Sequence, residues 1–306
     1  VTAALKPLAE LTVSIVGPGR VGTSFGCWLV QAGAQVLDVV GRDPARTAAA
    51  ARLLGAAGRG LADGPIRGEL VIVAVADGAL REVAAGVRLE SSRAVVVHTA
   101  GRYGASILAG IPEPAERGAW HPLRAFSRAE LNLDAARGML LAVDGGERVR
   151  ELARRIAAAC GWVVAEVPEA HRELYHLAAT VAAGGAASMV AAARLFAARA
   201  GLGDAVARGY AELAASSIRA VADVAPATAA SAITGPAARG EPSLSRRIAA
   251  AASIDSELGV VAALGALATI LVRQGAGMTG PDDEALRQEL DKMLGAGAFL
   301  DPPERR

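Results

Sequence analysis

From Thr12 to Val40 the chain reads TVSIVGPGRVGTSFGCWLVQAGAQVLDVV: a β-branched run, a glycine turn, a helical stripe and a second β-branched run. Gly17, Gly19 and Gly22 stand in a G-x-G-x-x-G frame, and Val21, Phe25, Trp28 and Leu29 recur at the spacing of one helix face. Strand, turn, helix and strand within about thirty residues make a βαβ unit, whose two strands lie parallel. In that setting bare backbone at the turn lets a pyrophosphate lie on the open amides of a helix N-terminus. Gly17, Pro18, Gly19, Arg20, Val21 and Gly22 are therefore the candidate dinucleotide-binding turn. The competing reading is a tight turn that holds no ligand.

The second strand runs out into Gly41-Arg42-Asp43. A carboxylate here would accept hydrogen bonds from the ribose hydroxyls of NAD, whereas a 2′-phosphate repels it and favours a guanidinium fork. Arg42, with Arg46 one turn on, thus points to NADP(H) over NAD(H), and Gly41 makes room. Asp43 before Pro44 reads as a helix cap. Arg42 as a solvated loop residue is the alternative.

Further strands are expected at Leu70–Ala76, Ala94–His98, Met139–Val143 and Trp162–Val167, with helices from Pro44 to about Leu54 and over Val149–Cys160. After Pro168 no period-two segment remains. Ala-rich helices are expected over His171–Ala200, Asp204–Val224, Leu244–Ala252, Ser256–Gln274 and Pro281–Met293, with a frayed DPPERR tail. The fold class is α/β: a parallel-sheet domain over residues 1–168, then an all-helical domain over 169–306.

Of the 306 residues 53% are hydrophobic and only 3% aromatic, so Ala, Val and Leu must fill the interior. A formal net charge of +1 and the lack of an arginine stripe argue against nucleic acid as a partner. Cys27 and Cys160 lack metal or redox spacing. Leu174–Ala193 and Leu258–Val272 are apolar but read as buried helices rather than membrane spans. No secretory leader is recognisable, which places the chain in the cytoplasm. Neither lysine, Lys6 or Lys292, falls near the expected crevice, and no G-x-S-x-G or P-loop is present, so Schiff-base, serine-hydrolase and P-loop chemistry have no support.

Candidate chemistry rests on histidine. His98 closes AVVVH and His121 lies in AWHPLRAFS just after another short apolar run, which places both where a parallel sheet opens its crevice. Reducing a carbonyl or imine requires a proton as well as a hydride, and an imidazole titrating near neutrality can supply it. His121 is the first choice of donor, followed by His98 and His176; Tyr175 and His176, at the start of the first long helix, are candidate substrate contacts. Loop hydrogen bonding or packing is the competing role for each. Val75, Ala76 and Asp77, after the third expected strand, are expected to line the cofactor path. No metal site is expected.

The ordered segments IVGPGRVGTSFG, VIVAVADGAL, HTAGRYGASIL, WHPLRAF, YHLAATVAAGG and ITGPAARGE resemble the bacterial proteins that join a Rossmann-like domain to the domain of unknown function 2520. These are broadly related to deazaflavin-dependent NADP oxidoreductases and to pyrroline-5-carboxylate and ketopantoate reductases. The resemblance spans about Leu11 to Ala252. It implies a Rossmann-type domain, a helical domain that pairs with its partner's copy in a homodimer, and an oxidoreductase acting on a small-molecule substrate. The family's Ser-Asn after the Tyr-His pair is replaced by Ala183-Gly184, which leaves a second reading: a catalytically silent NADP-binding sensor or scaffold.

Overall fold

A computed structural model describes residues 8–280 and 282–295. The chain parts into two compact units, Val1–Val181 and Ala182–Arg306.

The first unit is built on eight strands: β1 (Thr12–Val16), β2 (Gln35–Val40), β3 (Ala57–Arg59), β4 (Leu70–Val73), β5 (Val95–His98), β6 (Glu116–Pro122), β7 (Leu140–Gly145) and β8 (Val163–Glu166). Their order across the sheet is β3-β2-β1-β4-β5-β6-β7-β8. After β1 the chain winds outward through β2 and β3, then returns to β4 on the other side of β1. The gap between the carboxyl ends of β1 and β4 is thus a topological switch point, where open α/β sheets bind ligands. β4 and β5 are fully buried along their length, as parallel strands covered on both faces must be. One apolar cluster, with Phe25, Trp28 and Trp162, lies on one side of the sheet, and a second, with Leu80, Ile107 and Leu108, on the other.

The helices of this unit are α1 (Arg20–Gln31), α2 (Pro44–Leu54), α3 (Leu80–Gly86), α4 (Glu147–Cys160) and α5 (Arg172–Thr180). α2 begins and ends where its sequence dictates. The Asp43 carboxylate accepts from the Arg46 amide at 3.1 Å, Pro44 occupies the first helical position, and Gly55 closes the helix at φ +65°.

Three features depart from expectation. β3 (AGR) is built on alanine and glycine, and β6 (ERGAWHP) contains glycine and proline, residues that disfavour strands, so neither reads as one in the sequence. Each forms because an adjacent ladder supplies its hydrogen bonds: β2 for β3, and β5 with β7 for β6. β7 also runs antiparallel to β6, so the sheet is not wholly parallel. The connection between them holds only a short 3-10 turn, Leu133–Ala136, and no crossover helix of the kind a parallel pair requires. Finally, β4 ends at Val73 rather than Ala76: the Ala74 amide still donates to the Val16 carbonyl at 2.7 Å, and the strand ends there.

The second unit comprises α6 (Ala186–Arg199), α7 (Asp204–Ala222), α8 (Ser243–Ile254), α9 (Ser256–Gly275) and α10 (Asp283–Met293). Its core is small: Ile248, Ala263, Ala266, Ile270, Leu286 and Leu290. Close approach of α8 and α9 depends on Gly259, where a Cβ would lie 2.3 Å from that of Ala252. The helix expected over 171–200 is instead α5, a π-helical turn at Val181–Gly185 that contains Ala183 and Gly184, and α6. Its apolar side chains are not buried as expected: Leu174, Leu177, Val181 and Leu195 are exposed. Glu169–Arg199 and Ser256–Gly275 are each long and apolar enough to cross a membrane by length and composition, though helices of soluble proteins meet the same test. The expected DPPERR tail and Pro281 lie outside the described residues.

Candidate active site

The three glycines of the turn do different work. Gly17 sits at φ +97°, and a Cβ there would come within 2.6 Å of the Ala74 carbonyl oxygen. Its amide donates to the Val40 carbonyl at 2.8 Å, tying the turn to β2. At Gly22 a Cβ would lie 2.2 Å from the Gly17 oxygen, so this residue lets α1 pack onto the turn. Gly19 differs: among the described residues, its chain neighbours aside, no atom lies within 4 Å of where its Cβ would be. Its bareness serves no internal contact and leaves backbone open to the cavity. Gly19 is also the N-cap of α1, with no side chain capping the first turn and no acid within it. The first amides of α1 thus face outward with the positive end of the helix dipole.

Two cavities meet at this turn, sharing Pro18, Gly19, Arg46, Ala74, Val75 and Ala76. The one on the β2 side, about 840 Å³, is lined by Arg42, Asp43, Arg46, Leu61 and Glu82 among others. Arg42 and Arg46 are exposed and form no ion pair among the described residues. Asp43 is engaged as the α2 cap. Gly41 has a different role from that expected: a side chain there would strike Thr47 Oγ1 at 2.3 Å and the Pro18 ring, so its bareness serves packing rather than ligand space.

The other cavity, about 780 Å³, extends past Arg20, Val21, Thr23 and Asp77 to Thr99, Gly101, His121 and His176. His121, on β6, and Tyr175, on α5, are joined by a 2.7 Å hydrogen bond between Nδ1 and Oη. The His121 ring stands edge-to-face with both Tyr175 and His176, at centroid distances of 5.5 and 5.6 Å. Gly101 makes this crowding feasible, since a Cβ there would fall 2.2 Å from His176 Nδ1 and 3.0 Å from His121 Nε2. His176 Nδ1 is itself buried without a hydrogen-bond partner among the described residues.

Burial, reinforced by His176, Arg172 and His98, lowers the His121 pKa to about 4, so the imidazole does not titrate near neutrality as expected. The Tyr175 phenol is pushed up by burial, and the Arg172 charge opposes that shift.

His98 does not join this group. It is fully buried; its Nε2 bonds the Gly104 carbonyl at 2.9 Å and its Nδ1 accepts from the Ala100 amide at 3.2 Å. With both nitrogens engaged and burial bringing its pKa to about 4, it is a neutral strut for the loop after β5. His171 is exposed in a 3-10 turn. Sequence reasoning missed Arg172, a fully buried arginine one turn before Tyr175. Its Nε donates to the Val167 carbonyl, and its Nη2 to those of Ala119 and Ala142. Nothing in the Ala-rich sequence around it signals that it points inward.

Sheet order, switch point and glycine turn together define a Rossmann-like protein with a cleft at the carboxyl ends of its strands. Residues 2–124 match the family model of a Rossmann-like domain, and residues 139–281 match that of a domain of unknown function, DUF2520. The second match begins at the edge of β7 and ends before α10, so it takes in the last two strands of the sheet as well as the helical unit through α9.

A Bacteroides fragilis protein provisionally named an NADP oxidoreductase superposes with a TM-score of 0.71 at 20% identity, over 86% of this chain and 98% of its own. The Thermotoga maritima protein TM1727 gives 0.62 at 19% identity, over 94% and 99%. A pyrroline-5-carboxylate reductase from Streptococcus pyogenes gives 0.56 at 15%, over 93% and 98%. Similarity at this level establishes the fold. No curated protein matches the sequence.

Proposed function

We propose that the protein is an NADP(H)-dependent oxidoreductase that moves hydride to or from a small carbonyl, imine or hydroxy-acid substrate. The observation that carries this reading is the meeting of two cavities at one glycine turn, one rimmed by Arg42 and Arg46, the other ending at His121, Tyr175 and His176. The names of the Bacteroides and Streptococcus neighbours agree with it. Bound dinucleotide would supply or accept the hydride.

The turn from Gly17 to Gly22, with Arg20 beside it, would hold the pyrophosphate, and Arg42 and Arg46 the 2′-phosphate. Val75, Ala76 and Asp77 would line the path between the two ends. His121 is neutral at pH 7. If Tyr175 donates to its Nδ1, the remaining proton sits on Nε2 near Gly101, directed at a substrate oxygen or nitrogen. His121 then acts as a neutral hydrogen-bond donor whose lost proton is replaced through Nδ1 from Tyr175.

The helical unit's exposed Leu195, Leu213, Ile218, Leu264 and Leu271 suit coverage by a second copy of the chain, as a homodimer.

Calorimetry with NADPH and NADH, followed by turnover assays across keto acids, cyclic imines and hydroxy acids, tests the reading. It requires tighter NADPH binding and stereospecific hydride transfer to at least one substrate class. Binding without any turnover would move the protein to the silent sensor, and no binding of either nucleotide by folded protein would refute the assignment.

A further inference from the structure

A fully buried arginine normally sits against a carboxylate, because an uncompensated charge in a protein interior is costly. Arg172 does not. Among the described residues no carboxylate lies within ion-pair distance, its three hydrogen bonds go to main-chain carbonyls, and its Nη1 is buried with no partner. Two of those carbonyls locate it. Ala119 precedes His121 by two residues on β6, and Ala142 is the β7 residue paired directly with His121. Arg172 thus bolts the first turn of α5 to the strand pair that carries His121, and Tyr175 follows one helical turn later.

We propose that Arg172 is the positioning residue of the Tyr175–His121 pair: it fixes α5 to β6 and β7, and its unpaired charge stabilises the phenolate left when Tyr175 gives up its proton. The inference rests on the oxidoreductase reading for its chemistry but not for its geometry. In the reducing direction the substrate oxygen or nitrogen takes the Nε2 proton of His121. Nδ1 takes the Oη proton of Tyr175, and the Nδ1–H bond forms as the Oη–H bond breaks. The Arg172 charge, which acts on Tyr175 through space, stabilises the phenolate until water reprotonates it, which the partial exposure of Tyr175 allows.

The charged and titratable groups around this pair are His98 on β5, His176 on α5, Asp144 on β7 and Glu169 in the turn before α5. Asp144 accepts from the Ala105 amide and Glu169 from the Ser106 hydroxyl; both carboxylates act on the Arg172 charge through space, and neither forms an ion pair with it among the described residues. The arginine charge lowers the proton affinity of Tyr175, in the direction its proton loss requires, and that of His121, which aids donation from Nε2.

Arg172→Met and Arg172→Lys test this, each checked for fold by circular dichroism. In the nucleotide-free protein, histidine NMR follows His121, assigned by loss of its signal in His121→Gln. The methionine variant should titrate His121 at higher pH than wild type, and the lysine variant, which keeps the charge, should stay near it. With nucleotide and an accepted substrate, methionine should lower kcat by about a hundredfold, with substrate KM and nucleotide Kd changed less than about threefold, and lysine should recover about tenfold of that loss. If methionine prevents folding, Arg172→Gln takes its place, keeping an amide for one strand carbonyl without the charge. An unmoved His121 titration in the neutral variant, or equal kcat losses in the lysine and neutral variants, would overturn the proposal. The NMR arm needs no turnover, so it fails independently of the oxidoreductase reading.

Discussion

The two cavities on either side of the glycine turn are built on opposite principles. Toward β2 the candidate ligands are exposed arginines on a loop and a helix start, without ion pairs among the described residues and open to salt. Toward β6 they are half-buried rings locked edge to face, with a hydrogen bond between His121 and Tyr175 and the buried Arg172 guanidinium bonded to the carbonyl of Ala119 on the same strand as His121. Exposed charges bind an anion through weak, screened and tunable interactions, while buried groups have their protonation set in advance by desolvation. The first arrangement suits affinity and the second suits chemistry, so the two ends should respond separately to mutation.

The largest effect expected is at the histidine end. His121→Ala should reduce kcat by about a hundredfold to ten-thousandfold while leaving NADPH affinity nearly unchanged. A parallel loss of affinity in calorimetry would break the division between the ends.

Acid should expose the buried histidines next. His98 has its pKa lowered to about 4 in the folded protein against an ordinary 6.5, so the unfolded chain takes up the proton first. Its contribution is complete above pH 6.5 and drains away as pH falls toward 4, a loss on the order of 3 kcal/mol. Urea unfolding at pH 7.5 and pH 4.5 should show that loss in wild type and a smaller one in His98→Gln; equal losses in both would refute the assignment to His98.

At the arginine end, Arg42→Asp should weaken NADPH by about tenfold to a hundredfold, the worth of a charge-assisted hydrogen bond, and leave NADH and kcat little changed. Equal weakening of both nucleotides would remove the 2′-phosphate from this rim, and Glu82 would become the candidate ribose acceptor. The smallest effect is Asp43→Ala, which removes the α2 cap and should cost about 1 kcal/mol of stability, read as a small fall in Tm. A matching drop in NADPH affinity would show that α2 also has to be held firm for Arg46 to serve.

What the sequence revealed and what it hid follow the same physical line. Local signals worked: the glycine frame, the helical stripe of Phe25 and Trp28, and the Asp43-Pro44 start of α2 each act within a few residues. Features set by distant partners were hidden. β6 becomes a strand because β5 and β7 flank it, despite Gly118 and Pro122. His98 and His121 have the same address, near the end of a strand, yet only the fold turns one inward to Gly104 and the other toward the cleft. Arg172 looks like surface until its carbonyl partners from three separate segments are assembled around it.

Trp28, Trp120 and Trp162 are all in the sheet unit, the first and last stacked edge to face at 5.6 Å. Indole emission therefore watches one half of the polypeptide and is blind to the other, whereas far-ultraviolet ellipticity is weighted toward the Ala-rich bundle. Recording both in a single thermal scan would reveal whether the halves come apart together or one after the other, with no label added.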